Sequence, residues 1–374
     1  MKRVVKSIYA PTRYVFVADR FSNFISVTDI VSGEHVETLN FSMRPHVMEL
    51  ARDDAMLAVG SPEVSAIEFM NLRTRERRRV ELPSPVFQIF FVPQTNLVAV
   101  GLRDQVGMIS YKDFSVRIFP RRFDSDQRQT LINTYYSLLF SSFSQSFWVL
   151  DEDRPFIYHR YGGAEPLDAP WKTIDLSRHI GSGSGLGIGV ASPEDDLLAM
   201  TTDDGSEGLV YFPAQDKVLS TGPMRTVGST NEPMIMPYID AYSKHVIFAD
   251  MEGNVALFDL VNGNGKPERF TVKFSPRFIR TGWLESTWIL AGDKGIMFQS
   301  FKDPSDRKVV RFVPEVMNMW VTGDSKTALY TLDEGAPTIY RFDIRTREPL
   351  PPIRVRGVTM ASMLRMGSNN SICY

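Results

Sequence analysis

Apolar and polar positions along this chain fall into short runs that come in pairs. The clearest pair is residues 55–60 (AMLAVG), a polar turn at 61–64, then residues 65–70 (SAIEFM). Residues 197–202 (LLAMTT), the turn Asp203-Asp204-Gly205 and residues 209–212 (LVYF) repeat it, as do 245–250 (HVIFAD), Met251-Glu252-Gly253 and 254–259 (NVALFD). The runs are short, rich in Val, Ile, Phe and Tyr, and bounded by Gly, Asp, Asn and Ser, which is the signature of strands joined by tight turns. Helical periodicity is nearly absent.

Five further copies can be traced, so the pattern predicts eight hairpins, whose first strands begin near residues 14, 55, 96, 146, 197, 246, 287 and 327. A third and fourth strand flank each hairpin. Inner flanks lie at 45–51, 85–91, 276–281 and 316–321, and outer flanks at 36–41, 77–82, 116–119, 270–274 and 309–313. A four-stranded unit repeating every 40 to 50 residues is a propeller blade: stacked faces bury one another, and the ring limits exposed edges. The predicted fold class is therefore all-β, a single closed β-propeller of four-stranded antiparallel blades over residues 1–374, with eight blades favoured and seven left open. Residues 358–366 (VTMASMLRM) have the character of an inner strand that completes the first blade, and residues 4–10 sit where the same strand should be. The two ends compete for one slot or occupy different edges of one sheet.

Composition narrows the function classes. The chain has 374 residues, 43% hydrophobic and 23% charged, which suits a packed globular protein and not a disordered one. A net charge of −2 removes the broad basic field that nucleic acid needs. The single cysteine, Cys373, permits no intramolecular disulfide and no Cys-based zinc site, and suits a reducing compartment. No run of 18 apolar residues occurs. The expectation is a soluble cytoplasmic protein, or a periplasmic one if a leader has been removed.

The runs Tyr14-Val15-Phe16-Val17-Ala18-Asp19, Ile25-Ser26-Val27-Thr28-Asp29, Ser32-Gly33-Glu34 and Val36-Glu37-Thr38-Leu39 resemble the YVTN-type, WD40-like bacterial propeller repeat. Ser192-Pro193-Glu194-Asp195-Asp196 and Phe342-Asp343-Ile344-Arg345-Thr346-Arg347 extend the likeness loosely. It is specific for architecture. The group includes lactonase-like proteins, propeller subunits of quinone-cofactor amine dehydrogenases and haem d1-binding propellers, but no site motif of theirs transfers residue by residue, and the amine dehydrogenase propellers have seven blades.

Candidate chemistry is sparse. His35, His46, His159, His179 and His245 lie in different repeats with no metal-ligand spacing. His46, on a predicted inner flank, is placed to approach a central channel and is the named ligand candidate. The paired acids at Asp53-Asp54, 151–153, Asp195-Asp196 and Asp203-Asp204 all fall in turns, where acids cap backbone groups. The run from Gly181 to Gly189 matches neither phosphate-loop spacing and is read as small residues where inner strands crowd around the axis or where a long connection lies over the channel mouth. No GxSxG elbow occurs, so no catalytic residue, metal or cofactor is assigned. Arg73, Arg75, Arg77, Arg78 and Arg79, extended by Arg121 and Arg122 before an inserted loop, form either a solvated sheet edge or a docking surface for an acidic partner. The expected function is a non-catalytic interaction or scaffold subunit bound to other proteins. The alternative is an enzyme or redox-cofactor subunit, amine dehydrogenase-like or lactonase-like, with a small molecule at the channel mouth.

Overall fold

The computed structural model describes residues 13–19, 21–51, 56–103, 105–119, 137–163, 166–180, 184–193, 196–224, 234–312, 314–333, 337–361 and 363–366. Among these residues the strands form eight four-stranded antiparallel sheets arranged as the blades of a β-propeller, numbered 1 to 8 along the chain. Blade 2 shows the plan: inner strand Val47–Leu50, then Met56–Ser61, Val64–Asn71 and outer strand Arg77–Glu81. Among the described residues helix is limited to the short turns Ser177–Ile180 and Pro213–Gln215.

Alternation along each second strand explains the ring. Leu57 and Val59 pack toward blade 1, while Met56 and Ala58 pack toward blade 3. Both faces of every blade are thus apolar, and one buried cluster fills each interface from blade 1 against 2 round to blade 8 against 1. A side chain of a strand covered on both faces loses water whichever way it points, so these strands read as continuous apolar runs instead of alternating ones.

Blade 1 takes three strands, Tyr14–Ala18, Phe24–Asp29 and His35–Asn40, from the start of the chain and its inner strand, Met363–Arg365, from the end. Phe16 pairs with Arg365 and Val17 with Leu364. Asp19, fully buried, holds the seam: it accepts the main-chain N–H groups of Phe21 at 2.8 Å, Ser22 at 2.6 Å and, across the join, Thr359 at 2.8 Å. Residues 4–10 lie outside the described residues.

Two outer strands fall earlier than the sequence pattern predicts. In blade 6 the strand is Glu268–Thr271 and in blade 7 Arg307–Arg311. The apolar residues expected to continue them, Val272 and Phe274, and Phe312, turn inward and pack in the clusters between blades 6 and 7 and between 7 and 8.

Candidate functional site

The inner strands surround the propeller axis, and four neighbouring ones bring together side chains that no local pattern links. Arg280 of blade 7 pairs with Ile289, Trp320 of blade 8 with Leu329, Arg365 of blade 1 with Phe16, and Glu49 of blade 2 with Ala58. Each partner is the third residue of its blade's second strand, so the four occupy one register level around the axis. The guanidinium carbon of Arg280 lies 5.5 Å from the Trp320 ring centroid and that of Arg365 4.7 Å, so both cations lean on one indole. Arg365 Nε donates to Glu49 Oε2 at 3.3 Å. Burial pushes the Glu49 carboxyl above its ordinary range even though Arg365 beside it pulls the other way. The cluster therefore carries two fixed positive charges against one acid whose ionised form is disfavoured. At the same register level blades 3, 4 and 6 carry Phe90, Leu139 and Tyr238, which makes that side of the ring predominantly apolar.

His46 lies one residue before the inner strand of blade 2, exposed, with its main-chain N–H donating to Gly60 O at 3.0 Å. It is near Glu63, whose carboxyl is held low first by its hydrogen bond from Arg44, and is not among the side chains that meet at the axis.

The arginines of blade 2 divide among different contacts. Arg75 adopts a left-handed conformation, φ 67°, in the turn between the two outermost strands, and reaches back to blade 1, donating to Glu37 Oε2 at 2.9 Å. Arg347 holds the matching position in blade 8, φ 59°, and forks onto Asp306 of blade 7 at 2.5 and 2.6 Å. Arg78 covers Phe114 of blade 3 at 5.5 Å, and Arg79 Nε donates to Glu81 at 2.7 Å. Arg73 and Arg77 are exposed. Arg121 and Arg122, the insert at 120–136 and Cys373 lie outside the described residues.

The described members of the acid pairs and the glycine run take turn and packing positions, while Asp53, Asp54, Asp195 and residues 181–183 lie outside the described residues. Asp151 is buried and its Oδ1 accepts the N–H groups of Asp153 at 3.0 Å and Arg154 at 3.2 Å. Asp250 does the same for Glu252 at 3.0 Å and Asn254 at 2.8 Å. Gly187 lies so close to blade 5's second strand that a Cβ would sit 2.5 Å from Thr201 Oγ1, and a Cβ on Gly185 would strike Glu152 O. His159 of blade 4 lies with its ring centroid 3.9 Å from that of Trp148, tilted by 31°, and meets Tyr161 edge-on at 4.6 Å; burial, then the charge of Lys172, pushes it down to about 4, so it is neutral at pH 7. Among the described residues no group of three or more His, Cys, Asp or Glu is placed to hold a metal ion, and no helix is long and apolar enough to cross a membrane.

No protein-family model and no curated protein matches the chain. Solved structures match it closely in shape. The dihydro-heme d1 dehydrogenase NirN in complex with DHE is similar with a TM-score of 0.69 at 14% identity, over 92% of this chain and 74% of that one. Apo AztD from Citrobacter koseri gives 0.56 at 10%, over 93% and 96%. The computationally designed Ika8 protein gives 0.56 at 12%, over 82% and 85%. At these identities the likeness establishes the fold alone, and a designed protein among the matches underlines that the ring can exist without any natural activity.

Proposed function

We propose that the protein is a non-catalytic, YVTN-type binding propeller that holds a small anionic molecule at the axial opening, against Arg280, Trp320 and Arg365. The observation that carries this reading is the pair of guanidiniums on one indole, balanced by a single acid that burial drives toward its neutral form. An anion entering beside them gains charge-assisted hydrogen bonds in a region partly shielded from water, and an aromatic or planar anion also gains the Trp320 face. Asn318 lies two residues earlier on the blade 8 inner strand, with its buried Oδ1 lacking a hydrogen-bond partner, and adds a polar group for orientation. The structure of NirN in complex with DHE is a precedent for ligand binding by a protein of similar shape.

Native mass spectrometry of protein purified gently from its own cells tests this reading. A bound small anion is expected in wild type and lost in Arg280→Leu and Trp320→Leu, with Arg75→Ala unaffected. A ligand-free wild type that binds no member of an organic-anion panel would sink it.

A second reading, a scaffold subunit that docks other proteins, is favoured by one observation. Trp283, Leu284 and Glu285 form three consecutive left-handed residues, φ 50°, 55° and 61°, at the inner turn of blade 7, and Leu284 at its tip is 67% exposed. Such backbone is costly for non-glycine residues and is held here by Trp283 N–H donating to Ser325 O at 2.6 Å. Leu284→Glu would abolish co-purification of a partner on this reading, and an unchanged partner profile would remove it.

A further inference from the structure

A cleft of about 700 Å³ opens at the rim where blade 8 meets blade 1, well within the range of small-molecule sites. Its walls include Ser32 and Gly33 from the outer turn of blade 1, and Arg341, Arg354 and Arg356 from blade 8 and the connection that follows. Among the described residues no carboxylate lines it.

Arg341 is fixed in place without a carboxylate. Its Nε donates to Pro351 O at 2.8 Å and its Nη1 to Ile30 O at 2.9 Å, which leaves the second terminal nitrogen uncommitted by either bond. Burial holds its guanidinium below the usual arginine range, so the cation is partly desolvated where no described acid compensates it. Arg354 and Arg356 are exposed at the cleft. Ser32 Oγ accepts the Glu34 N–H at 3.3 Å, so its own proton can be donated outward. Gly33 and Gly357, both at positive φ, keep the turn and the connection free of side chains beside this opening.

We propose that this seam cleft binds a phosphate-bearing small molecule, with Arg341 as its fixed donor and Arg354 and Arg356 closing on the remaining phosphate oxygens. Three guanidiniums and a hydroxyl exceed what one carboxylate can satisfy, whereas a phosphoryl group offers several oxygens and about two negative charges to planar forked donors. The site is separate from the axial cluster and does not depend on it.

Calorimetric titration with pyrophosphate at low salt tests the proposal on the full chain. Wild type is expected to bind one pyrophosphate. The double variant Arg354→Gln/Arg356→Gln, which leaves both Arg341 hydrogen bonds in place, is expected to weaken binding about tenfold or more, the effect of losing charge-assisted hydrogen bonds. Arg341→Gln should weaken it further, and Arg280→Leu should leave it unchanged. The proposal is overturned if pyrophosphate fails to bind wild type, if the double variant binds equally well, or if an acidic peptide binds the cleft and pyrophosphate does not. Loss of pyrophosphate binding in Arg280→Leu alone would move the anion site to the axis and equally overturn it.

Discussion

Arginines at the rim and arginines at the axis meet different surroundings in this molecule, and the contrast separates structural charge from available charge. At the rim, Arg75 and Arg347 each reach from a left-handed turn to a carboxylate of the preceding blade, and Arg117 and Arg269 cap carbonyls of a neighbouring blade, Gly163 O and Pro223 O, both at 2.8 Å. These cations fasten one blade to the next. At the axis Arg280 and Arg365 share one indole and one reluctant acid. The same side chain thus acts as a rivet where carboxylates or carbonyls of the adjoining blade take it up, as at Arg75 and Arg347, and as a candidate receptor where cations gather with few acids, as at the axis and in the seam cleft around Arg341.

The largest effect should come from unbalancing the axis. Arg365→Leu removes the hydrogen-bonded ion pair with Glu49 and the guanidinium packed on Trp320, and lets the Glu49 carboxyl go neutral; urea unfolding should show a loss of about 3 kcal/mol. Adding Glu49→Gln should restore most of it; no rescue would show that Arg365 acts through packing on Trp320.

Next in size is the pH response of blade 4, a site with neither kind of pairing. His159 protonates near 4 when folded and near 6.5 when unfolded. Its contribution is present above pH 6.5 and is lost as pH falls toward 4, by on the order of 3 kcal/mol at most. His159→Phe, which keeps the ring contact with Trp148, should flatten the stability curve between those values, and an unchanged curve would place the acid sensitivity elsewhere.

Rim effects should be smallest. Arg347→Ala should cost about 1 kcal/mol or less and the difference should shrink in high salt. Arg347→Gly is the sharper variant, since glycine suits φ 59° where alanine does not. It should therefore be the more stable of the two; the reverse order would mean that the fork onto Asp306 is not the main role of this residue.

The fold was legible because each hairpin is a local event: residues 55–60 and 65–70 declare their pairing within a few positions, and Gly, Asp and Ser mark the turn between them. The axial cluster was not legible, because Glu49 and Arg365 are neighbours only after the ring has closed, and each is a lone polar residue on its own short strand. Trp320 is packed in the core between blades 8 and 1, with its ring face the added feature that the structure brings out. A register comparison of inner strands would have flagged the four, but it needs strand boundaries to the residue. Arg75 read as part of a basic edge because the φ of a turn residue and a carboxylate in the neighbouring blade leave no trace in spacing.

The way blade 1 is completed has a consequence for synthesis. Until residues 363–365 emerge from the ribosome, blade 1 lacks the strand that pairs with Phe16, Val17 and Ala18. The growing chain also leaves Val15 and Val17 unmatched to Leu329 and Ile339, two unsealed apolar faces at opposite ends of an open arc. Sealing them joins segments far apart in sequence, a slow step by its contact order. The nascent arc is thus the state in which this protein is most exposed to aggregation and to chaperones.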